Sequence, residues 1–367
     1  MTQPVQIGVI GCGSVSEKYL ALAQQLRLRG QAEVVAACDV DESKRAWVRA
    51  DFGVERFTTR YQDLLDMPDV NLVLVLTSMA EHGPIARAAL LAGKHVLVEK
   101  PMAVTLEAAA EIVEIARTSP GRLVPAPHVV LSKTYQTIWQ RVQRGDIGRV
   151  TSARALYGWA GPWWGRWFYQ PGGGSLFDLG VYNVTSLTGL LGPAKRVTAL
   201  SGVAVPERMA EGSLMKVEAN DNAHVLMDFG ESVFGVVTTG FTIQRYRCPA
   251  IELYGTTGTL QMMGDDWDPE GYELWQNDVG AWQIFEETDP GWPWVDGLRH
   301  LVECIHTGAR PIVTPEHAYH VLEIMLKAEA AGRDGRARDI ESTFTLPPFA
   351  AEASAPTAAH LVHDPTS

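Results

Sequence analysis

Residues Ile7-Gly8-Val9-Ile10-Gly11-Cys12-Gly13-Ser14-Val15-Ser16 form a short apolar run, a turn built on two glycines, and the start of a helical pattern. A strand, glycine turn and helix in this order aim backbone N–H groups and the positive end of a helix at an anion. The anion that fits is a pyrophosphate. Gly11, Cys12, Gly13, Ser14 and Val15 present those groups. Ser16 stands where a third glycine is usual, and a small residue is enough there for close packing of helix on strand. The next apolar strand, Glu33 to Cys38, ends at Asp39, where a carboxylate can hold a ribose 2′-hydroxyl. It would repel a 2′-phosphate, which favours NAD(H) over NADP(H). Arg45 is a nearby cation able to reach such a phosphate. A bound dinucleotide implies redox chemistry.

Three further residues have the types that hydride transfer needs around a carbinol: a proton acceptor and donors to the developing alkoxide. Lys100 follows the apolar run His95 to Val98, and parallel sheets bind ligands beyond the carboxyl ends of their strands. Pro101 restricts Lys100 to extended geometry. Asp178 and Tyr182 are four residues apart and share a face if the segment after Gly174 is helical. An unperturbed tyrosine stays protonated until about pH 10, so at neutral pH Tyr182 is a donor to the substrate oxygen and a poor base. Trp159, Trp163, Trp164 and Trp167 crowd a loop flanked by Gly158, Gly161, Pro162 and Gly165. Their faces suit the apolar faces of sugar rings, and their N–H groups reach hydroxyls.

The elements that must position these groups are readable in outline. Strand and helix patterns alternate through the first third, as a parallel sheet requires. Val70 to Leu76 is a continuous apolar strand, followed by helices at about 83–91 and 106–117, with Gly93 as a cap. From residue 126 the pattern changes. A helix over about 132–144 leads into long alternating strands at about 150–157, 194–203, 221–229, 232–242 and 250–254, then a late helix over 316–331 that Gly332 can cap. The expected organisation is a Rossmann doubly wound parallel sheet over 1–125, an α+β domain with a large, open, mainly antiparallel sheet over 126–350, and a disordered Ala/Ser/Pro/Thr-rich tail over 351–367.

Composition narrows the class. The chain has 367 residues, net charge -12 and 46% hydrophobic residues, with no long basic run that would suit nucleic acid. No apolar run is long enough to span a bilayer, and the N-terminus does not read as a signal peptide. Cys12, Cys38, Cys248 and Cys304 lack the spacing of a zinc site or disulfide framework, and three of them sit in apolar surroundings. A cytoplasmic location is expected. Asp265, Asp266 and Asp268 do not have the spacing of a calcium loop and read as a polar turn, so no metal is expected.

Four segments taken together resemble the family named for glucose-fructose oxidoreductase, inositol dehydrogenase and the rhizopine protein MocA. They are the glycine turn, Ala92-Gly93-Lys94-His95-Val96-Leu97-Val98-Glu99-Lys100-Pro101, Gly172-Gly173-Gly174-Ser175-Leu176-Phe177-Asp178-Leu179-Gly180-Val181-Tyr182 and Ile251-Glu252-Leu253-Tyr254-Gly255-Thr256-Thr257-Gly258. The resemblance runs over residues 5–347. It implies the two-domain fold just described, with the open sheet forming a homodimer or homotetramer interface. It makes Lys100 the catalytic acid/base and places Glu99 beside the cofactor. Partial desolvation and an oxidised nicotinamide nearby would both disfavour the ammonium form of Lys100. The turn of Thr77, Ser78 and His82 is implied to contact the cofactor, with Ser78 in place of a common proline. His128, Trp163, Trp164 and Trp167 are expected at the substrate cleft. Many members have histidine at the Tyr182 position. Tyrosine there resembles the glucose-fructose oxidoreductase and dimeric dihydrodiol dehydrogenase branches.

That substitution leaves more of the proton transfer to Lys100, with Asp178 binding a substrate hydroxyl or orienting the lysine. The alternative is that Tyr182, beside a cation, is itself the acid/base. The expected activity is NAD(H)-dependent hydride transfer to or from a secondary alcohol or ketone of a sugar, sugar derivative or cyclitol. Two other readings remain: glycoside cleavage through transient oxidation by bound NAD, and a non-catalytic dinucleotide sensor, which would need no base.

Overall fold

β1 (Val5–Ile10) is buried at five of its six positions, as a strand covered on both faces must be. It is followed by α1 (Ser16–Leu28), β2 (Ala32–Cys38), α2 (Lys44–Phe52), β3 (Arg56–Thr58), α3 (Tyr61–Leu65), β4 (Leu72–Val75), α4 (Met79–Leu91), β5 (His95–Val98), α5 (Leu106–Thr118) and β6 (Leu123–Pro125). The six strands pair in parallel in the order β3-β2-β1-β4-β5-β6. The order reverses between β1 and β4, so the chain leaves the carboxyl ends of these two strands on either side of a switch point where such sheets bind ligands. Gly11 leaves β1 with φ +95°, and a Cβ there would lie 2.6 Å from the Leu76 carbonyl carbon after β4. Only glycine allows the two turns to approach this closely.

This is the computed structural model of the chain, and it describes residues 3–347, 349 and 358–363. The chain divides into two compact units, the first comprising Met1–His128 and Val295–Leu322 and the second Val129–Trp294 and Glu323–Ser367. The return of Val295–Leu322 to the first unit was not expected.

The second unit opens with α6 (Lys133–Arg144) and β7 (Val150–Gly158), then a π-helical turn (Leu176–Gly180) running into α7 (Val181–Leu191). β8 (Arg196–Gly202), a two-stranded ribbon of β9 (Glu207–Ala210) and β10 (Ser213–Lys216), β11 (Asn222–Gly230), β12 (Val233–Gly240), β13 (Ile251–Gly255), β14 (Gly258–Asp265), β15 (Asp268–Gln276) and β16 (Ala281–Glu286) follow. The chain returns to the first unit through α8 (Gly297–Thr307), which packs on α1, β5 and β6, and the start of α9 (Pro315–Asp334). β17 (Arg338–Asp339) and β18 (His360–His363) complete a ten-stranded sheet in the order β17-β8-β11-β12-β7-β13-β14-β15-β16-β18. Every neighbouring pair is antiparallel except β12 with β7.

Strict alternation along β11 buries one face of this sheet, on which α6 and α7 pack. Leu200, Leu226 and Phe234 lie on the opposite face, and Leu200 is 75% exposed. No helix among the described residues is long and apolar enough to cross a membrane.

Two local readings are corrected. Gly332 does not cap the late helix. It lies inside α9, where a Cβ would meet Ser201 Oγ at 2.2 Å, and Gly335, with φ +70°, follows the helix end. Most of the tail read as disordered, 351–357 and 364–367, lies outside the described residues. Within it His360–His363 pairs with β16, because an open sheet edge offers backbone partners that composition does not reveal.

Candidate functional site

The glycine turn is tied to the end of β2. The Cys12 N–H donates to Asp39 Oδ2 at 2.7 Å, and the Asp41 N–H donates to Oδ1 at 2.9 Å. A carboxylate has about four lone-pair sites, so Asp39 keeps acceptors for ribose hydroxyls. Ser16 is fully buried, and its hydroxyl donates to the Gly13 carbonyl at 2.6 Å, which is how a serine fits where a glycine is usual. No side chain caps the start of α1, and a Cβ on Gly13 would meet nothing within 4 Å. The turn therefore has uncapped N–H groups and an open side, which fit a pyrophosphate. Arg45 is paired with Glu42 at 2.5 Å and lies over the Phe57 ring at 4.9 Å. Burial, with Asp39 nearby, pushes the Cys12 thiol up to about 12, so it is a packing group and not a nucleophile.

The turns after β4 and β5 hold the next group. Glu99 is buried, accepting from the Tyr19 hydroxyl at 2.8 Å and from the Lys100 N–H at 3.0 Å. It fixes the backbone of the half-buried Lys100, whose peptide bond to Pro101 is cis. His82, on the first turn of α4, lies between Pro101 O and Thr77 O. The Thr77 hydroxyl turns back to Ser78 O at 3.4 Å. His128 is buried edge-on to Tyr19, its ring so close to Gly297 that a Cβ there would lie 2.2 Å from Nε2. His128 thus sits between Tyr19 of α1 and Gly297 at the start of α8, within the first unit. Tyr19 was missed, because in sequence it is one more apolar position on the α1 stripe.

In the second unit, Gly174 has φ +100° and its N–H bonds Phe168 O at 2.8 Å. The Asp178 N–H then bonds Gly174 O at 3.1 Å within the π-helical turn, and Tyr182 sits in the first turn of α7. The helical premise for pairing Asp178 with Tyr182 thus holds, with a π turn of the kind frequent at functional sites. Tyr182 meets Tyr157 edge-on at 5.9 Å. Burial pushes the Tyr157 hydroxyl well above its ordinary range, and Asp178, Asp265 and Asp266 add to the shift.

The Trp loop is anchored by Glu211 N–H to Trp163 O at 2.7 Å and by Tyr169 OH to Pro162 O at 2.7 Å. Trp163 and Trp164 meet edge-on at 4.8 Å, Trp167 stacks on Phe168 at 3.6 Å, and Trp163 is 67% exposed.

Asp266 is more than part of a polar turn. It is fully buried, and its Oδ2 accepts from Asn183 Nδ2 at 3.0 Å and Ser186 Oγ at 2.9 Å, both on α7 just beyond Tyr182. Asp265 accepts from the Tyr246 hydroxyl. Burial pushes the Asp266 carboxyl from 3.8 up to about 7. Below pH 3.8 folded and unfolded chains both hold this proton. As pH rises towards about 7 only the folded chain keeps it, so stability falls across this window by on the order of 4 kcal/mol and is flat above it. Asp266→Asn preserves the acceptor and removes the titration. Its melting temperature relative to wild type is expected to climb between pH 4 and pH 8 in calorimetric melts. A pH-independent difference would refute the assignment.

Residues 5–126 match a family model described as "Oxidoreductase family, NAD-binding Rossmann fold", and residues 135–261 match "GFO/IDH/MocA C-terminal domain". A dTDP-3,4-didehydro-2,6-dideoxy-alpha-D-glucose 3-reductase of Saccharopolyspora spinosa is 31% identical over 267 residues, 71% of this chain and 75% of that one. A 1,5-anhydro-D-fructose reductase of Ensifer adhaerens is 26% identical over 344 residues, 91% of this chain and 98% of that one. The solved structure of an NAD binding oxidoreductase from Klebsiella pneumoniae shares the fold with TM-score 0.83, at 22% identity, over 92% of this chain and 100% of that one.

Proposed function

We infer the chemistry of this site from one premise: the chain belongs to the GFO/IDH/MocA family of NAD-binding oxidoreductases. It is an oxidoreductase, and the relatives above are named as reductases of sugar derivatives. We propose that it uses NAD(H) in preference to NADP(H) and acts on a secondary alcohol or ketone of a sugar, sugar derivative or cyclitol.

The observation that carries this reading is the Glu99–Lys100 pair, held at the carboxyl end of β5 by the Tyr19 hydroxyl. NAD, when bound, supplies the hydride acceptor or donor. Gly13, Ser14 and Val15 would hold its pyrophosphate and Asp39 its ribose, the Gly11 and Cys12 N–H groups being taken by Cys38 O and Asp39. In oxidation Lys100 Nζ takes the hydroxyl proton, and in reduction it returns it. The Tyr182 hydroxyl donates to the substrate oxygen, Asp178 accepts from a substrate hydroxyl, and Trp163, Trp164 and Trp167 pack on sugar faces. Asp39 and the Arg45–Glu42 pair support the choice of NAD(H). The apolar face with Leu200, Leu226 and Phe234 supports assembly into a homodimer or homotetramer through the open sheet. The four free cysteines support a cytoplasmic location.

The test is nicotinamide reduction, with NAD and NADP in parallel, against aldoses, inositols, anhydrosugars and trans-dihydrodiols. Turnover with NAD on at least one class is expected. Cleavage of a glycoside without net NADH would replace this reading with transient oxidation. Absence of both cofactor binding by calorimetry and turnover would reject it.

A further inference from the structure

We propose that His82 is a positioning residue for Lys100, clamping together the turns that follow β4 and β5. The inference rests on the reading of Lys100 as acid/base. His82 is 1% exposed, with Nδ1 2.8 Å from Pro101 O and Nε2 3.0 Å from Thr77 O. One ring thus bridges the residue after Lys100 to the turn at the switch point, each nitrogen set against a backbone carbonyl.

Both oxygens only accept, so each bond needs an N–H. A neutral ring supplies one, and the doubly protonated ring supplies both. Burial, with Lys100 nearby, lowers the readiness of His82 to take the second proton, while Glu99 and the two carbonyls raise it. Burial outweighs the rest and holds the titration of the imidazolium below its ordinary range, so at neutral pH the ring is neutral: one nitrogen donates to its carbonyl and the other only packs against its own. A rigid link of this kind matters because small misplacements of a catalytic group cost rate steeply.

The two contacts can be separated. An asparagine amide nitrogen falls near Nδ1 and can donate to Pro101 O, whereas a glutamine nitrogen falls near Nε2 and can donate to Thr77 O. His82→Leu, His82→Asn and His82→Gln are compared by kcat, KM for NAD, the pH profile of kcat and melting temperature, with Lys100→Met measured alongside. His82→Leu is expected to lower kcat about 10- to 100-fold and move the pH limb assigned to Lys100. His82→Asn is expected to recover most of kcat, and His82→Gln to recover KM for NAD but not kcat. Equal losses in all three, following melting temperature with an unmoved pH limb, would show a packing role only and overturn the inference. So would wild-type kcat in all three. If Lys100→Met keeps full activity, the acid/base reading itself has failed. If Lys100→Met is inactive while the His82 series behaves as wild type, only the clamp has failed.

Discussion

Lys100→Met is expected to lower kcat by about 10²- to 10⁴-fold, the usual contribution of a positioned acid or base, while the dissociation constant for NAD(H) stays within about threefold. Methionine keeps an unbranched stem of similar length and removes the amine. The backbone should not follow the side chain, because the Lys100 N–H is bonded to Glu99 and Glu99 is bonded in turn to Tyr19. The loss would therefore fall on proton transfer and not on cofactor placement, and the pH limb of kcat/KM that belongs to the lysine should vanish. Stopped-flow hydride transfer and isothermal titration read the two quantities separately. If Lys100→Met retained half or more of wild-type kcat, the proton would have to travel through Tyr182, and Tyr182→Phe would then show the large loss. In the order proposed here, Tyr182→Phe is the milder variant, since it removes one donor to the substrate oxygen.

Cofactor choice is the second large effect. Asp39→Ser is expected to shift the ratio of kcat/KM for NAD over that for NADP by about 10²-fold towards NADP. Two unit charges 4 Å apart interact by about 4 kcal/mol at an effective dielectric of 20, and tenfold in affinity is about 1.4 kcal/mol, so partial screening still leaves such a factor. Asp39 also accepts the Cys12 N–H, so serine loosens the glycine turn as well as removing a charge. Asp39→Asn removes the charge and keeps the Cys12 bond through its amide oxygen but gives up the bond from the Asp41 N–H, so the cofactor ratio should move with a smaller loss of melting temperature than in Asp39→Ser. Arg45 would have to leave Glu42 and Phe57 to meet a 2′-phosphate. A wild-type enzyme that prefers NADP would refute the assignment of Asp39.

The parts of the site that sequence reveals are those set by local chemistry. The β1 turn is legible because its two glycines sit between an apolar strand and a helix within ten residues. Lys100 is legible because Pro101 and the preceding strand fix its place on the sheet. What stayed hidden depends on distant partners. Asp266 looks like one of several acids in a hairpin until Asn183 and Ser186, 83 and 80 residues away, supply its donors. Gly332 resembles a helix cap, but its smallness answers to Ser201 on β8. His82 reads as a residue at a helix start, and its task follows only from Pro101 and Thr77 converging on its two nitrogens. The membership of Val295–Leu322 in the first unit has no local signal, since an amphipathic helix such as α8 does not encode which apolar surface it will cover.

That return of the chain has a genetic consequence. A gene fragment ending at His128 would encode all six parallel strands but not α8, leaving bare the surfaces of α1, β5 and β6 that this helix covers. A fragment running from Val129 to the end would contain α8 without the strands it packs on. Neither half is a cassette that recombination could exchange as a contiguous block.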